Sequence, residues 1–255
     1  MCRLLLFDEL FSMPSKLQRL FVKSKLAPGG EVELDSGQAH YLGNVLRLRE
    51  GDEILLFNGK DGEWCASLAA IGKKKARAQV SHQTRPQEEG PDLHYLFAPL
   101  KRARLDYMAQ KATELGASML RPVLTRRTVA ERLKVDRLFA NAVEAAEQCG
   151  ILRVPEIAEP EPLIKVLATW DAGRPLIFAD EAAPSASPLE TLAALEPGPV
   201  AVLIGPEGGF DPEERALLLA KPFVHPISLG PRVMRADTAA VAALALVNAA
   251  LGDWR

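Results

Sequence analysis

Cysteine is scarce in this 255-residue chain, and no run of apolar residues is long enough to span a bilayer. The three cysteines, Cys2, Cys65 and Cys149, have no C-x-x-C spacing, which argues against a zinc site and a disulfide framework and fits a reducing compartment. No metal is expected. No stretch approaches about twenty apolar residues, so no membrane partner is expected and the chain is assigned to the cytoplasm. The apolar run from Leu4 to Phe7 stops at Asp8 and Glu9, short of a signal-peptide core. Residues 1–15 read as a poorly ordered extension, with Met13 as an alternative start. Two nucleotide signatures are missing as well. The lack of G-x-x-x-x-G-K-[ST] argues against a P-loop triphosphatase, and without G-x-G-x-x-G opening a helix the ordinary dinucleotide fingerprint is missing.

What the chain does have is ample core material, with 48% hydrophobic and 25% charged residues, enough for two unequal domains. The net charge of −2 hides a strong segregation. From Lys101 to Arg137 ten Lys or Arg face four Asp or Glu, whereas from Pro155 to Glu214 two face twelve. Three basic clusters, Lys73 to Arg77, Lys101 to Arg104 and Arg126-Arg127, make RNA or DNA a candidate partner, against the plainer alternative of a solvated surface.

The pattern predicts a small β-rich domain over 16–85. Strands are expected at Glu31 to Leu34, Glu53 to Phe57, Trp64 to Ala70 and Ala76 to Gln83, with Asn58-Gly59 and Asp61-Gly62 in a turn. Ser36 to Leu48 reads as one short helix with Ser36 as its cap. His40, Tyr41, Arg47 and Arg49 are its candidates for RNA contact, although a His beside a Tyr on a short helix serves structure as readily. Thr84 to Pro91 reads as linker.

Over 92–255 strands alternate with helices, the pattern of a parallel α/β sheet covered by helices. Strands are expected at Leu93 to Ala98, Leu120 to Leu124, Leu176 to Ala179, Val200 to Ile204 and Val224 to Leu229. One helix buries Leu105, Met108, Ala109, Ala112 and Leu115 and ends at Gly116; a second, from Val135, ends at Gly150. The last helix, from Ala239, has almost no polar face until Asn248, so it is expected in the core or at a homodimer interface.

Two loops carry the chemistry. The first, Gly205-Pro206-Glu207-Gly208-Gly209-Phe210, follows an apolar strand and precedes Asp211, Pro212 and Glu214, which suit the N-cap, first turn and capping box of a helix. The second runs from Gly230 through Pro231, Arg232, Val233, Met234, Arg235, Ala236 and Asp237 to Thr238. Glycines let backbone N–H groups approach a ligand, and such loops on neighbouring strands face each other at the edge of an open sheet. A cofactor pocket is the natural expectation.

The segments K-R-A-R-L-D-Y-M-A-Q-K-A-T-E-L-G from Lys101, E-A-A-E-Q-C-G-I-L-R-V-P-E-I from Glu144, L-I-G-P-E-G-G-F from Leu203 and L-G-P-R-V-M-R-A-D-T-A from Leu229 together resemble the bacterial ribosomal RNA small-subunit methyltransferase E family. H-Y-L-G-N-V-L-R-L-R-E-G-D from His40 is similar to that family's PUA-like RNA-binding barrel. The resemblance implies S-adenosylmethionine-dependent methylation of uridine N3 in 16S rRNA of the small ribosomal subunit. It also implies a SPOUT-type methyltransferase domain with a trefoil knot, acting as a homodimer. Threaded chains are rare in general, so the knot rests on resemblance alone.

Carried over by position, the cofactor residues are Leu203, Gly205, Pro206, Glu207, Gly208 and Gly209, then Leu229, Gly230, Pro231, Arg232 and Met234, with Phe178, Ala179 and Asp180 at a strand end. The catalytic set is Arg232, Arg235, Glu207 and Asp237, and the RNA-binding set His40, Arg47, Arg49, Lys101, Arg102, Arg104 and Arg153. Two positions depart from the family pattern. Ile151 stands after Q-C-G where arginine is frequent, and Arg235-Ala236-Asp237-Thr238 stands where Arg-Thr-Glu-Thr is.

The methyl donor carries its own sulfonium leaving group, so alignment dominates, with up to about 7–11 kcal/mol available from it. Arg232 and Arg235 suit charge on the uracil oxygens or flanking phosphates. Glu207 or Asp237 either accepts the N3 proton or orients an arginine. N3 lies on the pairing edge, so the target is unpaired or flipped out. Methylation of tRNA or of a ribose 2′-oxygen, or a non-catalytic assembly role, stays open on the residues alone.

Overall fold

The computed structural model describes residues 17–72, 74–128, 133–183 and 187–255. The expected extension over 1–15 with Met13, and Lys73 of the first basic cluster, lie outside the described residues, as does the side chain of Arg102. The chain divides into two units: Met1–Glu88 with Glu147–Arg153, and Glu89–Ala146 with Val154–Arg255.

In the first unit a five-stranded sheet has β1 (Arg19–Phe21), β2 (Glu31–Leu34), β3 (Glu53–Phe57), β4 (Glu63–Ile71) and β5 (Ala76–Arg85) in the order β1-β3-β4-β5-β2. Among the described residues of this unit only β1 and β3 pair in parallel. Alternation in β2 buries Val32 and Leu34 while Glu31 and Glu33 stay exposed, and Leu42, Ile54, Leu56, Ala66 and Leu68 join them in one core. β5 runs two residues into the expected linker because Arg85 still pairs with Glu63.

The expected helix over 36–48 breaks up. It is α-helical only over α1 (Ser36–His40), then π-helical over Tyr41–Val45. Its cap is Asp35 and not Ser36: Asp35 Oδ1 accepts from the Gln38 N–H at 2.9 Å while Gln38 Oε1 accepts from the Asp35 N–H at 3.1 Å, a reciprocal box that Ser36 does not make. The chain then turns at Arg47, whose φ of 59° is left-handed.

Residues Glu147–Arg153 join this unit through Arg19, which is 8% exposed. Its Nε donates to Glu63 Oε2 at 2.6 Å, and its two Nη groups donate to the carbonyls of Glu147 and Ile151 at 3.0 and 3.1 Å. The guanidinium thus satisfies acceptors that a helix end leaves open.

In the second unit β6 (Leu93–Phe97), α2 (Arg102–Glu114), β7 (Met119–Leu124), α3 (Val135–Cys149), β8 (Glu156–Ile157), β9 (Glu161–Pro162) and α4 (Leu163–Ala168) are followed by β10 (Leu176–Ala179), α5 (Pro188–Ala193), β11 (Val200–Ile204), α6 (Pro212–Leu219), β12 (Val224–Ile227) and α7 (Ala236–Ala250). Every strand pair is parallel, in the order β12-β10-β11-β6-β7-β8, with β9 beside β7. Covered on both faces, β11 reads as an unbroken apolar run, and all five of its residues are buried. One face packs on Met108, Ala112, Leu138, Ala240, Ala243 and Leu244; the other on Leu163, Val166, Leu167 and Leu218.

β10 lies between β11 and β12, so the two glycine loops leave strands that flank a third rather than strands that touch. α7 begins at Ala236, three residues earlier than expected, with Arg235 as its N-cap.

Candidate functional site

Because β10, β11 and β12 run parallel and in register, their carboxyl ends open on one edge of the sheet. The segments that leave them enclose a cavity of about 650 Å³ lined by Ala179 to Ala183, Ile204 to Glu207, Gly209, Phe210, Arg215, Ser228 to Ala236, Ala239 and Arg104. This is where open parallel sheets place ligands.

The loop after β11 is shaped by its glycines. A Cβ on Gly205 would stand 2.5 Å from the Phe210 ring, which is locked edge-on against Phe178 with centroids 5.1 Å apart. Gly209 has φ +67°, and a Cβ there would meet Glu181 Oε1 at 2.9 Å. Asp211 then caps α6 by a full box, its side chain accepting from the Glu213 N–H at 3.0 Å while Glu214 accepts from the Asp211 N–H at 3.3 Å. The Glu213 N–H holds the Asp211 carboxyl below its usual range, and Arg126 adds to this.

Arg126 and Arg127 serve this loop. Arg126 pairs with Asp211 at 2.8 Å and Glu213 at 2.6 Å, and Arg127 Nη1 donates to the Gly208 carbonyl at 2.7 Å. The Arg126-Arg127 cluster is therefore spent on the protein's own acceptors.

Asp180 is 5% exposed, and Arg215 grips it through Nε and Nη2 at 3.0 and 2.8 Å from Oδ2. Its other oxygen accepts from the Ala182 N–H at 3.1 Å. That carboxylate keeps the Arg215 guanidinium firmly protonated. Glu207 is paired with Arg104, whose Nε also lies 3.9 Å from Asp237 Oδ2. Tyr95, buried beneath, has its phenol pushed up by burial and by the Asp237 charge. Arg232 and Arg235 line the cavity and engage no carboxylate among the described residues.

The cavity brings together most of the expected cofactor set: Ala179, Asp180, Gly205, Pro206, Glu207, Gly209, Leu229, Gly230, Pro231, Arg232 and Met234. Three expected residues are not on its wall. Phe178 and Leu203, at 1% and 0% exposure, face the apolar layer behind it, because strand alternation turns them inward. A Cβ on Gly208 would meet the Arg127 side chain, not the cavity. Of the catalytic set, Arg232, Arg235 and Glu207 line the cavity, and Asp237 reaches it through Arg104.

The RNA set is distributed. His40, Arg47 and Arg49 are exposed on one segment of the first unit, with His40 Nδ1 2.7 Å from the Asn44 amide. Arg153 belongs to that unit too. Lys101 is the exposed N-cap of α2, Arg102 opens the helix, and Arg104 turns to the cavity. Sequence reasoning missed Glu181 and Arg215 as cavity residues, and placed Phe210 in the loop without assigning it to the site. The basic helix position at Arg215, four residues past Asp211, was the one available signal for a partner to Asp180. No group of His, Cys, Asp and Glu among the described residues is placed to hold a metal.

Residues 87–248 match the RNA methyltransferase domain family, and residues 34–81 match the RNA methyltransferase PUA domain family. A curated protein of Rickettsia conorii, ribosomal RNA small subunit methyltransferase E, is 32% identical over 234 residues, covering 91% of this chain and 96% of its own. A Legionella pneumophila protein described as a methyltransferase, solved with bound S-adenosylmethionine, superposes with TM-score 0.83 at 31% identity, covering 93% of this chain and 99% of that one. The Neisseria gonorrhoeae ribosomal RNA small subunit methyltransferase E, also solved with S-adenosylmethionine, gives TM-score 0.83 at 27% identity over 94% of this chain and all of that one. With the cavity, the loops and both domain matches in agreement, the chain belongs to the ribosomal RNA small subunit methyltransferase E family.

Proposed function

We propose that this protein uses S-adenosylmethionine to methylate N3 of a uridine in 16S rRNA of the small ribosomal subunit. The observation that carries this is the cavity where the glycine loops meet Arg232 and Arg235, which have no carboxylate partner among the described residues. The residues fit the donor: a Cβ on Gly205 or Gly209 would run into Phe210 or Glu181, so the loop keeps its shape beside the cavity with glycine at both positions, and 650 Å³ suits a folded cofactor beside a base. When bound, S-adenosylmethionine supplies a methyl group on a sulfonium leaving group.

The chain's own residues do the rest. Backbone groups of Gly205 to Glu207, Gly209, Leu229 to Pro231 and Ala179 hold the donor, and Met234 adds apolar contact. Asp180, tied to Arg215, supports the loop through the Ala182 N–H. Arg232 and Arg235 stabilise charge on the uracil oxygens as N3 gives up its proton, and Glu207 or Asp237 takes it up or aligns an arginine. His40, Arg47, Arg49, Lys101, Arg102 and Arg153 are the RNA contacts of this reading, which places the enzyme in the cytoplasm. A homodimer through the outward face of α7, where Val241, Ala242, Ala245 and Leu246 stay partly exposed, and the trefoil knot belong to the same proposal.

The test is transfer of labelled methyl to undermethylated 30S particles, followed by mass spectrometry of the nucleosides. 3-Methyluridine in 16S rRNA is expected. A label on ribose or on tRNA, or no label at all, overturns the proposal.

A further inference from the structure

Arg104 stands in the first turn of α2, yet its guanidinium engages acids from two other elements. It forms an ion pair with Glu207, in the loop after β11, and its Nε lies 3.9 Å from Oδ2 of Asp237, in the first turn of α7. Asp237 is fixed on its other oxygen by the Thr238 N–H at 2.8 Å and the Thr238 hydroxyl at 3.4 Å. We propose that Arg104 is a positioning residue for methyl transfer: it ties Glu207 to Asp237 and so sets the spacing between the β11 loop and the start of α7. The proposal rests on the function proposed above and deepens it.

A guanidinium can serve two carboxylates at a fixed angle because its five N–H donors lie in one rigid plane; an ammonium is a point charge that holds either acid without fixing the angle between them. Remove the guanidinium, and two like charges face each other across the cavity mouth and push their elements apart. The side chains of Arg104, Glu207 and Asp237 are 38%, 48% and 18% exposed, so the pairs add little to the stability of the fold. Alignment is far more sensitive, since a misplacement of about 1 Å costs about 10²-fold in rate. Arg104 differs here from Arg232 and Arg235: Glu207 already pairs with it and Asp237 lies 3.9 Å from its Nε, which leaves it poorly placed to grip phosphate.

The test compares Arg104→Ala, Arg104→Lys, Glu207→Ala and the Arg104→Ala/Glu207→Ala double variant. Calorimetry gives S-adenosylmethionine affinity, and undermethylated 30S particles give kcat and KM. Arg104→Ala is expected to lower kcat by about 10- to 100-fold, with KM for the particle and cofactor affinity within about twofold. Arg104→Lys recovers part of kcat. In the Glu207→Ala background, removing Arg104 costs less than about twofold, because the partner it acts through is gone. A loss confined to KM that also flattens the salt dependence of particle binding is the mark of a phosphate contact and overturns the proposal. Equal losses in both backgrounds overturn it as well. If the unsubstituted protein binds the cofactor and leaves the particles unlabelled, the proposed function fails first, and the role in transfer with it.

Discussion

At the scale of single residues, the site separates groups that build the cavity from groups left for the substrate. Asp180, Asp211, Arg126, Arg127 and Arg215 are engaged with one another or with backbone, whereas the side chains of Arg232 and Arg235 have no such partner among the described residues. Arg232→Ala should therefore lower kcat by about 10²-fold and leave S-adenosylmethionine affinity nearly unchanged. Equal losses in turnover and in calorimetric affinity would refute that division. Gly205→Ala puts a methyl against the Phe210 ring, which Phe178 prevents from moving aside. It should cost about 1–3 kcal/mol of stability, read by urea denaturation, together with a weaker cofactor isotherm. The loop residues themselves were legible in the sequence, since glycine, proline and capping chemistry are local. Their fixings were not, because Arg126 lies 85 residues from Asp211 and no periodicity links them.

Among the elements, legibility followed length. α2, α3 and the long strands carry enough periods for a pattern to stand out, whereas β8 and β9, of two residues each, and α4 and α5, of six, do not. The region 36–48 gave a helical period but not the change from α to π pitch at Tyr41, which alternation of apolar residues does not encode. The edge strand β12 contains Pro226, which an edge position tolerates, and beside it His225 is partly buried. Burial pulls the His225 pKa below the ordinary 6.5. Its unfolded form thus binds a proton before its folded form does, so stability is full above about pH 6.5 and falls as the pH drops beneath it. His225→Asn should flatten the change in denaturation midpoint between about pH 7 and 5; an unaltered slope would count against this origin.

For the molecule as a whole, the charge segregation seen in the sequence has two fates. Part of the basic charge is paired with the protein's own acids, as at Arg126, and part stays exposed at Lys101, Arg47 and Arg49. Binding to the small-subunit particle should weaken with salt, each single-stranded phosphate contact adding about −0.7 to the slope of log K against log salt concentration. A slope near zero in a filter-binding titration would remove the basic residues from recognition. The two-domain plan was legible from the change of period near residue 90, but the return of residues 147–153 to the first unit was not, since it depends on one arginine more than a hundred positions away. That return bears on how the protein can be dissected. An excision after Glu88 does not follow a seam: it takes Arg19 away and leaves the carbonyls of Glu147 and Ile151 without their donor. Fragments for separate study should be split so that the tail of α3 stays with the first unit, whose Arg19 caps it.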